Sequence, residues 1–237
     1  MNKFLLFTVL FACISCSEKT DKLDEGLVAF YSFCNNANDK SGHDNNATVN
    51  GAELVNDRFG NPESAYKFDG ESDYMEIANS PSLKNIDKKL SISMWFNTHE
   101  YYSNGDKWAV LINKAGESKA LNSRQFSLYY KDNGDIFFNS DVIGNYDFKL
   151  NTWYHITLTY DLGSVNLYIN GEKLQTKPVT EIVKNDLSLF FGYDQPGATE
   201  YYNGILDDIR IYNRVLTKKE IEALMSIDDT CEELTAG

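Results

Sequence analysis

The C-terminal part of the chain joins a strand-like segment directly to a short helix, and this feature limits the fold more than any other. Apolar and polar residues alternate over residues 204–216, as in a strand with one buried face. Residues 217–225 then have the pattern of a two-turn helix with a capping box, in which Thr217 and Glu220 each bond the other's backbone N–H. A lone short helix after a long β-rich chain favours an all-β sandwich closed at one end.

Strand-like segments recur along the rest of the chain and are separated by short gaps. In one of them Ile92, Met94 and Phe96 share a face, which indicates sheets that pack face to face. Asn-Gly pairs at 133–134 and 170–171 favour the positive φ angles of tight hairpins. The predicted strands are residues 27–33, 65–68, 74–78, 90–97, 108–113, 125–131, 135–139, 153–161, 165–170, 187–193 and 205–212.

The first fifteen residues have the pattern of an export signal. Lys3 precedes an apolar run that is too short to span a bilayer. The following Ile14-Ser15-Cys16 resembles a bacterial lipoprotein signal, in which the cysteine carries the lipid. Cys13 is a rival site, and an ordinary secretory peptide is a further alternative. We predict a signal peptide over 1–15, lipidation of Cys16, a tether over 16–25 and one domain over 26–237, anchored by lipid in the cell envelope, on the periplasmic or surface face of the outer membrane.

The charge balance limits the partners. The chain has 22 Lys and Arg against 35 Asp and Glu, a net charge of −13. Such a charge repels nucleic acid and anionic membrane surfaces, so we expect no nucleic-acid partner and membrane contact only through the lipid. It is compatible with divalent cations and neutral sugars. Solubility is the simpler explanation for most of the charge.

Two cysteines remain in the exported domain, Cys34 after the first strand and Cys231 after the last helix. Because the termini of a sandwich often lie close together, we predict that they form a disulfide. Two free buried thiols are the alternative.

Several segments in this order resemble a laminin-G-like (concanavalin A-like) jelly roll of the bacterial type. The resemblance covers about residues 26–226 and implies a two-sheet antiparallel jelly-roll sandwich with one short C-terminal helix. It also implies binding of glycans or proteins, often with calcium, although related folds include glycoside hydrolases. The segments are residues 26–33, 38–42, 65–70 with 73–74, 153–161, 167–171 and 204–224.

A calcium ion is expected in the loop that contains Asp39, Asp44 and Asn46, because hard cations take carboxylate and amide oxygens from loops of this kind. The resemblance places Asp207 near this loop. In the alternating pattern Asp207 shares a face with Ile209 and other isoleucines, where an acid needs a partner or a metal. An Asx-rich turn without an ion is the alternative for the loop.

Residues 71–76 spell E-x-D-x-x-E, the spacing of the acid cluster in retaining β-glucanases that share this fold. The departures argue against catalysis. Ser72 replaces the aliphatic residue that follows the first acid, and a turn precedes Glu71 where those enzymes have a strand. Without a bulge, Asp73 and Glu76 face opposite sides of a strand. We therefore predict that the protein is not an enzyme, and a glycoside hydrolase that uses the Glu71–Glu76 acid cluster is the least favoured alternative.

Aromatic residues beside polar loops are the remaining functional signal. Such rings can stack on sugar rings while neighbouring Asn, Asp and Glu bond the hydroxyls. Aromatic filling beneath loops is the alternative. We predict a carbohydrate-binding module for a glycan or polysaccharide, with an adhesion or scaffold module for an envelope protein as the alternative. The predicted carbohydrate-binding residues are Tyr101, Tyr102, Trp108, Tyr201 and Tyr202.

Replacing Cys16 by Ala should abolish incorporation of labelled palmitate in cells that express the chain, because the thiol that carries the lipid is lost. Cys13→Ala is the matched control and should retain the label. Label that persists in Cys16→Ala but disappears in Cys13→Ala would assign the anchor to Cys13.

Overall fold

The computed structural model describes residues 23–104, 106–116, 124–194, 196, 198–227 and 231. The predicted signal peptide, Cys16 and its rival Cys13 lie outside these residues. The described strands are β1 (Leu27–Tyr31), β2 (Ala47–Asn50), β3 (Glu53–Val55), β4 (Ala65–Asp69), β5 (Tyr74–Ile77), β6 (Lys89–Glu100), β7 (Tyr102–Asn104), β8 (Asp106–Ala115), β9 (Arg124–Lys131), β10 (Asp135–Phe138), β11 (Asp141–Asn145), β12 (Trp153–Asp161), β13 (Ser164–Ile169), β14 (Glu172–Pro178), β15 (Leu189–Phe191) and β16 (Asn203–Tyr212). The helices are α1 (Pro81–Lys84) and α2 (Lys218–Met225).

These strands form two antiparallel sheets of eight strands each, the predicted jelly-roll sandwich. Sheet one has the order β14-β13-β12-β6-β16-β4-β3, with β1 paired to β16. Sheet two has the order β11-β10-β9-β8-β15-β5-β2, with β7 paired to β8. Seven of these fourteen pairings join strands that are consecutive in the chain, and the other seven, including β6 with β16, join strands that are far apart in it.

The inner faces of the two sheets enclose one apolar core. In β6 the predicted inward residues Ile92, Met94 and Phe96 are fully buried, and in β12 Ile156 and Leu158 are as well. These residues come from one sheet and pack against residues from the other, including Phe126, Leu128, Ile136 and Phe191. The period-two alternation in the sequence thus identifies the core correctly.

The outer face of sheet one is also buried, which the alternation does not predict. Ser93, His155 and Thr157 lie on this face and are almost inaccessible. A second, smaller apolar cluster lies beside this outer face. In this second apolar cluster, Ile221 and Leu224 of α2 pack against Tyr212. Helix α2 therefore covers part of the outer surface of sheet one.

The predicted cap of α2 and the turn at 170–171 form as expected, whereas at 133–134 only Gly134 has a positive φ. Thr217 accepts a hydrogen bond from the Glu220 N–H, and the Glu220 carboxylate accepts one from Thr217 N at 2.7 Å, so the capping box is complete. Asn170 and Gly171 both have positive φ between β13 and β14. Strand β14 was not predicted because most of its residues are exposed and carry no alternating apolar signal.

Cys34 and Cys231 form the predicted disulfide, with Cα atoms 5.2 Å apart. It joins the end of β1 to the segment after α2. The folded part begins earlier than predicted, because Leu23, which was assigned to the tether, is buried with Leu27 and Leu216 in the second apolar cluster. Among the described residues, no helix is long and apolar enough to cross a membrane.

Replacing both Cys34 and Cys231 by Ser should lower the free energy of unfolding by about 4–5 kcal/mol, because the bond closes a very long loop in the unfolded chain. Urea denaturation of the variant and the oxidised wild type measures this difference. Electrophoresis with and without reductant provides the chemical check. Equal mobility and equal unfolding midpoints would contradict the prediction.

Candidate functional site

A β-bulge in β8 assembles the most promising site, on the outer face of sheet two. The pairing with β9 shifts between Val110 and Ile112, so that Leu111 and Ile112 both turn towards the core. Beyond the bulge Asn113 pairs with Ser127 and returns to the outer face. Trp108, Val110 and Asn113 consequently lie on one side of the sheet.

Three aromatic rings form a cluster at one end of this face. The rings of Tyr129 and Phe137 are stacked, with centroids 5.0 Å apart and an interplanar angle of 9°. Trp108 contacts both, at centroid distances of 5.2 and 5.6 Å. The ammonium of Lys131 lies 3.9 Å from the centroid of the Trp108 ring, a cation–π contact. The partly exposed indole is thereby held in place by its neighbours.

An open pocket of about 320 Å³ adjoins these rings. Its floor is the outer face of β8 and β9, and part of its wall is the segment after β15, where Asp194 N donates to the Glu200 carbonyl at 3.3 Å. Two carboxylates, two amides and two aromatic rings therefore meet around one cavity. The lining residues are Trp108, Val110, Asn113, Ala115, Gly116, Ser127, Tyr129, Asn139, Asp194 and Glu200.

Only one of the two polar atoms of the Asn113 amide in this lining has a hydrogen-bond partner. Its Nδ2 donates to the Ala115 carbonyl at 3.3 Å, which orients the group. Its Oδ1 is buried and has no hydrogen-bond partner among the described residues, and the side chain is 1% exposed. A buried acceptor without a donor costs about 1–3 kcal/mol.

The structure describes four of the five predicted carbohydrate-binding side chains and does not bring those four together in one site. Trp108 lines the pocket. Tyr201 lies next to Glu200 and stacks on Tyr193 at 4.6 Å, whereas Tyr101 packs edge-on against core residue Tyr130. The side chain of Tyr102 lies outside what the structure describes.

Tyr202 was predicted wrongly. It is fully buried, and its hydroxyl is 3.0 Å from Thr98 Oγ1 within the core. Burial raises the pKa of this phenol well above its usual range. No ring face remains for a sugar, because the residue belongs to the aromatic packing between the sheets.

Sequence reasoning missed Tyr129, Asn113 and Asn139, which share the pocket with Trp108. The alternation of Ser127, Tyr129 and Lys131 in β9 was the available signal for an outer polar and aromatic stripe. In β8 the bulge changes the alternation, so spacing alone puts Asn113 on the wrong face.

The loop predicted to bind calcium is held together by its own hydrogen bonds. The Asp39 carboxylate accepts from the backbone N–H groups of Phe30, Ser41 and Asn45 and from the Ser41 hydroxyl, at 2.8–3.0 Å. Asn46 Oδ1 accepts from Asp39 N, and Asp44 is exposed with a positive φ. The loop is thus an Asx-rich turn, whose conformation needs no ion.

Asp207 does not join that loop. It lies on the outer face of sheet one, where Arg58 Nη1 is 2.7 Å from its carboxylate and 2.8 Å from that of Asp208. Burial and the Asp208 charge raise the pKa of Asp207, and the Arg58 guanidinium opposes this shift. Within the described part of the chain, no three His, Cys, Asp or Glu side chains are grouped to hold a metal ion. The four predicted ligands therefore do not fit one calcium ion, and calcium binding stays a prediction.

A second bulge explains why Asp207 was placed on the wrong face. The pairing of β16 with β6 shifts between Asp207 and Arg210, and Asp208 has a positive φ of 49°. Ile209 and Ile211 are fully buried in the core, whereas Asp207 pairs with Trp95 on the outer face. This bulge shifts the alternation, so residues on either side of it that are two apart in the sequence pattern no longer share a face.

A buried Ser93–His155 pair lies on the same outer face of sheet one. Ser93 Oγ is 2.9 Å from His155 Nε2. Burial, and then the positive charges of Arg210 and Arg58, lower the pKa of His155 to about 3. Both side chains are inaccessible, so a substrate cannot reach the hydroxyl. The pair is therefore part of the buried packing on this face.

The acid cluster at residues 71–76 also lacks a catalytic arrangement. Glu71 lies exposed in the connection between β4 and β5, as predicted, and Asp73 accepts a hydrogen bond from Asp69 N at 3.0 Å. Burial and the Asp69 charge raise the pKa of Asp73. The adjoining pocket of about 410 Å³ is polar, and no Trp, Tyr or Phe is among its described lining residues, which are Gly51, Glu53, Lys67, Asp69, Asp73, His99 and Asn203.

Comparison with known proteins identifies the class. Residues 69–222, more than half of the chain, match the family profile of the concanavalin A-like lectin/glucanases superfamily, and the chain belongs to this family. A stretch of 92 residues is 32% identical to Paraclostridial mosquitocidal protein 1 of Paraclostridium bifermentans. That stretch is 38% of this chain and 7% of the toxin.

Solved structures show the same fold at low identity. Domain 4 of AbnA, a GH43 extracellular arabinanase from Geobacillus stearothermophilus, in complex with arabinotriose, has a TM-score of 0.63 at 16% identity, over 84% of this chain and 98% of that domain. The botulinum neurotoxin serotype D ligand binding domain in complex with N-acetylneuraminic acid has a TM-score of 0.65 at 20% identity, over 87% of this chain and 52% of that one. This chain thus spans about half of that binding domain. Both matches show that this chain shares its fold with these domains.

Replacing Arg58 by Met should lower the free energy of unfolding by about 3–5 kcal/mol, because two buried carboxylates lose their shared counter-charge. The combined variant Arg58→Met with Asp207→Asn should recover part of that loss. Urea denaturation measures both. An Arg58→Met variant as stable as the wild type would show that the ion pair contributes little.

Proposed function

We propose that this chain is a carbohydrate-binding module whose binding site is the pocket on the outer face of sheet two. The observation that carries the proposal is the position of Trp108 and Tyr129 beside a pocket walled by Asn113, Asp194 and Glu200. Aromatic surface next to a few convergent polar groups suits a sugar, which has apolar C–H faces and a rim of hydroxyls.

The size and openness of the site fit the end or a short stretch of a saccharide. A cavity of about 320 Å³ lies at the lower end of the range for ligand sites. Asp194 and Glu200, which line the pocket and are only partly buried, supply carboxylate acceptors for hydroxyl donors. The fold supports the same conclusion, since two of the similar structures are complexes with arabinotriose and N-acetylneuraminic acid.

We further propose that the module acts outside the cytoplasm, held in the cell envelope by a lipid on Cys16. The Cys34–Cys231 disulfide supports an oxidising compartment. None of the predicted calcium ligands lines the pocket. We therefore expect the Kd for a glycan to be the same in the presence of calcium and in the presence of a calcium chelator.

Replacing Trp108 by Ala should weaken glycan binding by about 2 kcal/mol or more, which is roughly thirty-fold in Kd, because the largest ring at the pocket is lost. A glycan array identifies a bound saccharide, and calorimetry measures the Kd. Trp153→Ala is the matched control, since this partly exposed Trp lies in β12 of sheet one and not at the pocket.

Equal affinity of Trp108→Ala and the wild type would place the site elsewhere. Binding to envelope proteins, with no glycan bound on the array, would favour the adhesion or scaffold module instead. Melting temperatures of both variants show whether either substitution has disturbed the fold.

A further inference from the structure

We propose that the pocket holds an internal stretch of a polysaccharide, and that this chain continues from the pocket onto a second aromatic surface of sheet two. This surface, the tyrosine patch, consists of Tyr74, Phe190, Tyr193 and Tyr201. The inference rests on the proposed function, because it names the ligand class of the same site. It is carried by the position of the tyrosine patch relative to the pocket.

The rings of the tyrosine patch form one continuous cluster. Tyr193 stacks on Tyr201 with a centroid distance of 4.6 Å and an interplanar angle of 8°. The Tyr74 ring lies 5.2 Å from that of Tyr193 and 6.1 Å from that of Phe190. Phe190 and Tyr193 are buried, whereas Tyr74 and Tyr201 are partly exposed. The buried rings hold the two accessible rings in place, so a ligand that stacks on these two restricts few side-chain rotamers.

Strand register places the tyrosine patch on the face that carries the pocket. Phe190 of β15 pairs with Asn113 of β8, which lines the pocket from the outer face. Residues directly opposite each other on antiparallel strands share a face, so Phe190 lies on the outer face as well. On its other side Phe190 pairs with Glu76 of β5, and Tyr74 lies two residues before Glu76 on the same side of that strand.

The tyrosine patch adjoins one wall of the pocket. Asp194 and Glu200 line this wall, and they are the chain neighbours of Tyr193 and Tyr201. The backbones of Tyr193 and Tyr201 pair as an isolated antiparallel bridge, and Asp194 N donates to the Glu200 carbonyl at 3.3 Å. A saccharide that leaves the pocket along this wall therefore reaches the tyrosine patch next.

The aromatic surfaces on the two sides of the pocket are too far apart for one sugar ring. Phe137, Tyr129 and Trp108 belong to β10, β9 and β8, and the tyrosine patch follows on β15 and β5. The four interstrand spacings from β10 to β5, at about 4.8 Å each, span about 19 Å. Several linked units are needed to cover this distance. An extended polysaccharide has apolar C–H faces and hydroxyl rims along its whole length, which suits two aromatic surfaces with polar groups between them.

A length series of one saccharide tests the inference. The probes are linear arabino-, xylo-, manno- and gluco-oligosaccharides, from the disaccharide to the hexasaccharide, and calorimetry measures each Kd. For a series that binds, we expect the Kd to fall about tenfold or more between the disaccharide and the hexasaccharide. The reason is that contact with the tyrosine patch becomes intramolecular once part of the chain occupies the pocket.

Loss of an exposed ring of the tyrosine patch separates the two contact areas. Tyr74→Ala should raise the Kd of the hexasaccharide about five- to tenfold and leave that of the disaccharide unchanged, since Tyr74 is not among the described residues that line the pocket. Tyr74→Phe keeps the ring and should retain the wild-type ratio of the two Kd values. The matched control is Tyr168→Ala, which removes a partly exposed tyrosine from β13 of sheet one and should also retain this ratio.

A hexasaccharide that binds no more tightly than the disaccharide would overturn the inference while leaving carbohydrate binding intact. A Tyr74→Ala variant with the wild-type ratio of Kd values would also overturn it. Equal weakening of both probes would do the same, because the ring would then support the pocket instead of contacting the chain. The ratio within one variant does not depend on its folded fraction. If no saccharide of any length binds, the proposed function itself fails, and the inference fails with it.

Discussion

The burial of apolar side chains between the two sheets is the interaction on which the rest of the structure depends. Phe96, Ile156 and Leu158 from sheet one meet Phe126 and other inward residues of sheet two in one continuous core. Because these contacts are long-range in the chain, neither sheet has a stable inner surface without the other. Every outward group, including the pocket lining, takes its position from this packed interior.

The outer faces of the two sheets have different roles for a physical reason. Helix α2 packs beside the outer surface of sheet one, where Arg58 neutralises Asp207 and Asp208 and His155 is held uncharged. The charged groups Arg58, Asp207 and Asp208 on that face are therefore paired with one another. On sheet two the segment after β15 borders an open cavity, so its outer face has polar and aromatic groups within reach of a ligand. This asymmetry supports a binding role for sheet two.

Sequence alternation predicted the site only in part. Among the aromatic residues beside polar loops, the sequence singled out Trp108, which lines the pocket. It failed for Tyr202, because a ring near a polar loop has the same local sequence whether it faces solvent or the core. It also failed for Asn113 and Asp207, because each lies next to a bulge that changes which residues share a face.

The amino-acid sequence by itself determined the sandwich, its central strands, the capped helix α2 and the pairing of Cys34 with Cys231. These features depend on local periodicity, on capping chemistry and on the number of cysteines left in the exported domain. Only the tertiary structure decided that Trp108, Tyr129, Asn113 and Glu200 surround one cavity and that Arg58, not a loop, is the partner of Asp207. Residues far apart in the chain meet through strand register and bulges, and a local pattern contains no information about either.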